Sequence, residues 1–392
     1  MKITEVSVVQ TAPINGNEAW KPIFVLIRTD GGITGHGEIG LAYGKSHDAG
    51  FGQGVDYARQ IIGMDPLDCE AIWQKLQRKT FWGMSGGAVP FAAISGIDIA
   101  LWDIRGKYYN APVYRLLGGK MRSRIRCYAS QIQLGWGKKS RRHVRAEEYA
   151  QATKDAVAAG FDAVKVDPAG IDEDGGWNTW NLTGLLRNSQ LGLIEDRVAA
   201  IREAGGEDLD IIVELHANTG ADAALQIARA LEPYGIFYME EPTQSLSPEL
   251  FSYISARTPI PLAAGERIHG RWGFRPFFEQ RSLSVIQPDV CNVGGITEAK
   301  KVCDMADTYD ISVQAHVCGS PLSNAAALQL EAAIPNFVIH ETHEYSIVPE
   351  NIALCRYDYQ PVGGYLEVPE LPGIGQEINE DILSASRVVT VR

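Results

Sequence analysis

Short apolar runs recur along this chain at a fixed interval, and three of them close on a glutamate. Glu214 lies at the end of IIVEL, Glu240 closes IFYME and Glu266 closes PLAAGE, so the three carboxylates stand 26 residues apart twice over. That interval holds about one strand, one helix and two short loops. A regular βα repeat in a parallel barrel brings the ends of successive strands to one rim. Three anionic oxygens converging there would hold a hard cation, with Mg²⁺ the first choice. A lone carboxylate at a strand end is often only a loop cap; even spacing of three argues against that here.

The rest of the chain keeps the same beat. From about residue 124, eight apolar runs alternate with helical stretches: RIRCYAS, AVKVDP, DIIVELHAN, IFYMEEP, PLAAGE, SVIQPDV, SVQAHV and FVIHETHE. RAEEYAQATKDAVAAG, IEDRVAAIREAG and AALQIARALEPYG are among the helices between them. The strands read as nearly continuous apolar runs, as strands buried on both faces do. These units predict an α/β chain with a (β/α)₈-type barrel, of the modified TIM kind, over residues 124–360. Upstream, ITEVSVVQ and IFVLIRT alternate in strand fashion, followed by Asp30-Gly31-Gly32, a hairpin signal, and ITGHGEIG. Residues 50–117 then turn helical, most clearly in AISGIDIALWDIRGKYY, and Gly118-Gly119 ends them. Residues 1–123 therefore read as a separate α+β domain. The tail, 361–392, is expected to return to it. The long loop 169–192 follows the second barrel strand, and loops of that length are often lids. Its Trp177 and Trp180 could cover a ligand or a neighbouring subunit.

Composition excludes several partners. With 45% hydrophobic residues among 392, a large core is available, and a formal net charge of −12 argues against nucleic acid, whose binders usually show a basic face. The densest basic run, GKKSRRHVR at 137–145, reads as a solvated loop entering a helix. No run of about 18 apolar residues exists, so no membrane span is expected. Six cysteines are scattered without a CxxC pair, which fits reduced thiols in a cytoplasmic protein. MKITEVSVVQ carries Glu5 and lacks a long apolar core, so it is read as a strand and not a signal peptide.

Two motifs mislead. Gly35-His36-Gly37-Glu38-Ile39-Gly40 matches GxGxxG, but it follows a hairpin and opens no helix, so a dinucleotide site is not expected. His340-Glu341-Thr342-His343-Glu344 is not HExxH: its histidines are three apart on a strand end, pointing to opposite faces. Glu341 keeps its interest as the end of the eighth strand. Asp289 ends SVIQPDV and His316 ends SVQAHV, 27 residues on. Across adjacent strands they could form a dyad in which the carboxylate orients the ring and favours imidazolium. Such a histidine is a good proton acceptor near neutral pH. His216, two residues past Glu214, falls on the same side of an extended strand.

With these residues in place, the chain resembles the enolase superfamily in its mandelate racemase-like branch. The resemblance spans essentially the whole length, through SGIDIALWDIRGK, MEEP, AAGER, QPDVCNVGGITE and a closing PGIG in that order. It implies that residues 1–123 cap the barrel, that Glu214, Glu240 and Glu266 bind one Mg²⁺, and that Asp289 and His316 are the dyad, with Glu341 the eighth-strand glutamate. Most relatives carry Asp at the first ligand position, where this chain has Glu214. Racemases of the branch carry Lys-x-Lys on the second strand; Lys165-Val166-Asp167 lacks the second lysine, which disfavours two-sided proton transfer. Lys165 is left to bind the substrate carboxylate, and Asp167 either to bind distal hydroxyls or to serve structure. Glu214-Leu215-His216 is similar to the pattern of galactonate, gluconate and mannonate dehydratases, where the histidine protonates the departing 3-hydroxyl.

The expected activity is therefore a Mg²⁺-dependent dehydration of aldonic or related sugar acids to a 2-keto-3-deoxy acid. His316 is the C2 base, with Lys165 and a protonated Glu341 stabilising charge. A 2R substrate is implied by a base on the seventh strand. Alternatives are a racemase, epimerase or cycloisomerase of the branch, or a silent sugar-acid-binding relative. Arg267 is expected to help admit an anionic substrate. Capping loops near 12–22 and 45–55 would supply specificity through Asn15, Asn17, Trp20 and Lys45. A homo-oligomer is the expected assembly.

Overall fold

The computed structural model describes residues 1–14, 16–137 and 140–392. Asn15, one of the anticipated contacts, and Lys138 and Lys139 of the basic run lie outside the described residues.

The chain opens with an antiparallel meander of β1 (Ile3–Gln10), β2 (Ile23–Thr29) and β3 (Thr34–Ile39), turning at Asp30–Gly32 between the last two. Helices α1 (His47–Ile61), α2 (Cys69–Arg78), α3 (Ala88–Tyr108) and α4 (Val113–Leu116) follow. The centre of α3 is buried all round, from Phe91 to Ile104, because it lies between the meander and the barrel. β3 sits directly on it: a Cβ at Gly35 or Gly37 would collide with the carbonyl of Ala100 or Gly96. The glycines of the GxGxxG string therefore serve a sheet–helix contact.

The second part runs β4 (Arg124–Ala129), α5 (Ala146–Ala158), β5 (Ala163–Val166), α6 (Asn188–Gly205), β6 (Asp210–Glu214), α7 (Ala221–Leu231), β7 (Ile236–Glu240), α8 (Pro248–Ser255), β8 (Leu262–Ala264), α9 (Gly270–Gln280), β9 (Val285–Ile286), α10 (Gly295–Asp307), β10 (Ser312–Val313), α11 (Pro321–Glu331) and β11 (His340–Thr342). All eight anticipated strands form. They pair in parallel in the order β10-β9-β8-β7-β6-β5-β4-β11, and a parallel bridge from Val313 to Phe337 joins the two ends into a barrel. The eighth unit departs from the repeat. After β11 comes only the four-residue α12 (Pro349–Ile352), and β12 (Tyr365–Glu367) turns back antiparallel onto β4. The last strand, β13 (Arg387–Val391), pairs with β1 and completes the N-terminal sheet as an edge.

Buried acids pin the two parts together. Glu38 of β3 accepts from the backbone N–H groups of Ser320 and Ser323 (both 3.1 Å) at the start of α11. Asp98 of α3 accepts from Thr297 N–H (2.9 Å) and Oγ1 (2.6 Å) in the first turn of α10. Each thus satisfies helix N-terminal donors and meets the positive end of the helix dipole. Burial nonetheless raises both, to about 7, against these hydrogen bonds. The six cysteines are free thiols, and among the described residues no helix is long and apolar enough to cross a membrane.

Candidate active site

The barrel topology delivers the three glutamates to one point. Glu214 and Glu240 are register partners at the ends of β6 and β7, and Glu266 follows β8 by two residues. One oxygen from each lies within 4.8 Å of the others. Glu214 and Glu240 are fully buried. Burial, with the neighbouring Glu214 charge, holds Glu240 well above the usual carboxylate range. Oε2 of Glu214 and Oε2 of Glu240 have no hydrogen-bond partner. Buried carboxylate oxygens this close must share either a proton or a cation. Three hard oxygen donors with two orphaned atoms fit a divalent ion such as Mg²⁺.

Lys165 of β5 is 2% exposed and lies 2.9 Å from Glu240, 2.9 Å from Glu341 and 3.5 Å from Glu214. Burial alone would lower its pKa, but Glu240 and Glu341 outweigh it and keep the ammonium charged. Glu341 accepts from Ser130 Oγ (2.7 Å) and Val317 N–H (3.0 Å). Burial pushes its carboxyl up, yet Lys165 and His316 hold it below the usual range. The expectation of a protonated Glu341 is thereby corrected: it is a carboxylate that anchors Lys165.

Two Asp–His pairs flank this cluster. His316 Nδ1 donates to Asp289 at 2.7 Å, and its Nε2 lies 3.1 Å from Glu266. Burial lowers the His316 pKa, but Glu266 and the Asp289 bond overcome it and raise it to about 10. His216 Nδ1 donates to Asp167 at 2.6 Å. Its pKa also rises, to about 9, with Glu214 and Asp167 outweighing burial. His216 follows the third barrel strand and His316 the seventh of eight, so the two rings approach from opposite sides of the mouth.

This second pair bears on two expectations. Of the two roles open to Asp167, its burial (2% exposed) and its bond to His216 favour the structural one. His216 does not reach the site by strand alternation, because β6 stops at Glu214. The chain then turns through left-handed backbone at His216 (φ 47°) and Ala217 (φ 57°). Non-glycine residues there cost about 1–3 kcal/mol each. The turn is tied by the His216 N–H to Glu214 at 2.6 Å. The signal available was the pairing of adjacent strand ends: Asp289 and His316 lie level beyond β9 and β10, whereas Asp167 lies level with Glu214 and meets His216 only through the left-handed turn.

A cavity of about 300 Å³ opens over these groups. Its lining includes Lys165, His216, Glu266, Arg267 and His316, together with Trp177, Tyr43, Gln131, His343, Glu344 and Tyr345, which sequence reasoning had not joined to the site or had left undecided. Arg267 pairs with Glu241 and Glu266. Trp177 hangs from the loop after β5, its ring 6.4 Å from His216. Fully buried Arg197 ties that loop through the Pro168 (2.8 Å) and Ile171 (2.6 Å) carbonyls. Trp180 turns instead to Glu173 at 2.7 Å. Two anticipated contacts fail. Trp20 is fully buried and stacks behind Tyr345 at 4.7 Å; Lys45 is exposed and lies outside the cavity lining. Asn17 acts through Tyr345, whose hydroxyl its Nδ2 reaches at 3.4 Å. His340 is structural, held by Glu331 (2.6 Å) and Asn324 (2.8 Å).

Comparison with known proteins agrees with this geometry. Residues 5–118 match the mandelate racemase / muconate lactonizing enzyme N-terminal domain, and residues 148–382 match the enolase C-terminal domain-like family. The chain belongs to the enolase superfamily. Among superfamily members, a D-galactonate dehydratase of Ralstonia nicotianae is 32% identical over 98% of this chain and 94% of its own. A member of known structure from Salmonella Typhimurium is 53% identical, with full coverage of both chains and a TM-score of 0.97. A protein from Zymomonas mobilis ZM4, provisionally named a dehydratase, is 49% identical over 100% of this chain and 99% of its own, also at 0.97.

Proposed function

We propose that this superfamily member is a Mg²⁺-dependent dehydratase of sugar acids, acting on aldonates and forming a 2-keto-3-deoxy acid. The observation that carries the reading is the pair of Asp-oriented histidines facing each other across the carboxylate cluster. Mg²⁺ held by Glu214, Glu240 and Glu266 would supply charge stabilisation to the substrate carboxylate as its α-proton leaves. Lys165, fixed between Glu240 and Glu341, directs its ammonium to the same developing charge. With Glu266 engaged by a bound cation, the charge that favours imidazolium would be offset, and His316, its Nδ1–H committed to Asp289, would take the C2 proton on Nε2. His216, with Nδ1–H on Asp167, delivers a proton from Nε2 to the 3-hydroxyl, which departs as water. The enol left behind tautomerises to the 2-keto acid. A His or Lys base working with Mg²⁺ is the shared chemistry of such sites. The likeness to the Ralstonia D-galactonate dehydratase supports the same reaction class. Six free thiols support a reducing, cytoplasmic setting.

A panel of aldonates incubated with Mg²⁺ should yield a 2-keto acid from at least one, detected by carbonyl derivatisation. Absence of product and of C2 deuterium exchange across the panel would overturn the reading. One observation favours a second reading. Because His216 has its own carboxylate, the two histidines could serve as opposed bases in C2 epimerisation. Deuterium incorporated at C2 with inverted configuration, and no keto acid, would select it.

A further inference from the structure

We propose that His343 and Glu344, just past β11, form the subsite that reads the hydroxyl-bearing tail of the substrate and selects an acid with one carboxylate over one with two. This rests on the dehydratase reading. Both residues line the cavity shared with Lys165, His216 and His316, and neither takes part in the chemistry above. His343 Nδ1 accepts the Tyr345 N–H at 3.2 Å, so Nε2 carries the ring hydrogen. Burial keeps that ring neutral, its pKa lowered to about 3. Glu344 is 4% exposed; Oε1 accepts from Ser140 Oγ at 3.2 Å, and among the described residues no donor reaches Oε2. A donor and an acceptor on successive residues match a hydroxyl, which is both.

The pair is held from behind. The His343 ring stacks on Tyr345 (5.1 Å, 15°), and Tyr345 stacks on Trp20 (4.7 Å, 22°). This column runs from the cavity wall into the N-terminal domain, which gives buried Trp20 a positioning role. Charge supplies the selection. The permanent cations among the described lining residues are Lys165 and Arg267, both paired with glutamates around the Glu214–Glu240–Glu266 cluster. A second carboxylate on the substrate tail would meet Glu344 and Ser140 instead; burial raises the Glu344 carboxyl to about 7, so the repulsion is full only above that pH. Like charges set together in a desolvated site cost roughly 100-fold or more in affinity.

The test compares gluconate with glucarate, galactonate with galactarate, and glycerate, which lacks the tail. At about pH 8.5, where the Glu344 carboxylate is charged, wild-type kcat/KM with Mg²⁺ for keto-acid formation should favour the reacting aldonate over its matched diacid by about 100-fold. Glu344→Gln should narrow that preference at least tenfold, mainly through KM, with Glu344→Asp intermediate. The loss caused by either variant should be at least tenfold smaller on glycerate than on the aldonate. A wild type that processes the diacid as well as its aldonate overturns the subsite, and so does an equal loss on glycerate and aldonate. Those results differ from failure of the dehydratase reading, in which no acid of the panel yields keto acid or exchanges at C2.

Discussion

At the scale of single residues, the proposed chemistry depends on which nitrogen of each histidine is free. Asp289 and Asp167 fix Nδ1–H on His316 and His216 and leave Nε2 for proton transfer. His316→Asn should therefore abolish both C2 deuterium exchange and dehydration. His216→Asn should keep exchange and lose dehydration by about 10²–10⁴-fold, the usual worth of a positioned acid. Dehydration at the wild-type rate in His216→Asn would remove it from the mechanism. Asp167→Asn tests the newly found pair: mistuning the ring should lower kcat by about 10²-fold or more with little change in KM. Intact kcat would leave Asp167 a packing role. Asp289–His316 was legible in the sequence because both residues continue strands one repeat apart. Asp167–His216 does not follow that rule: Asp167 is level with Glu214, and His216 comes back to it only through a left-handed turn that strand alternation does not foretell. His343, Glu344 and Tyr345 were obscured because they belong to the turn after β11, where strand alternation no longer predicts direction.

Elements were easier to read than their endings. All eight barrel strands announce themselves as apolar runs, because a parallel strand buried on both faces tolerates little else. The eighth helix was expected from the rhythm and is absent, since rhythm says nothing about where a repeat stops. The contacts of α3 and β3 with the barrel were equally hidden: nothing local marks Asp98 or Glu38 as partners of helices some 200 or more residues later. These two acids make a prediction at this scale. Burial raises Glu38 from 4.5 to about 7, so across that window the folded state binds more protons than the unfolded one. Its contribution to stability is therefore full below pH 4.5, falls as pH rises toward 7, and is level above. In urea titrations, Glu38→Gln should lack this share of the decline, so the difference from wild type shifts in the variant's favour between pH 5 and 7.5. A constant difference would refute the raised pKa. Above pH 7, Glu38→Ala should cost about 1–3 kcal/mol by stranding the Ser320 and Ser323 N–H groups.

For the molecule as a whole, the carboxylate cluster is a point of stored repulsion that the proposed divalent ion would relieve. Exhaustive chelation should abolish turnover, and Mg²⁺ at about 100 times its dissociation constant should add about 2.7 kcal/mol and raise Tm by a few degrees. A melting curve indifferent to Mg²⁺ and EDTA would argue against a cation at Glu214, Glu240 and Glu266. Of the large-scale plan, the barrel was visible in the repeat and the separate N-terminal domain in its change of period. What no local pattern revealed was how intimately the ends of the chain are joined. β13 lies along β1, so β1 waits for residues 387–391 before its outer backbone groups find partners. Synthesis toward the C-terminus thus leaves this sheet with a bare edge until residues 387–391 are made, a natural target for chaperones and for mispairing. Proteolytic loss of β13 would spare every group at the barrel mouth, yet reopen that edge in the folded protein.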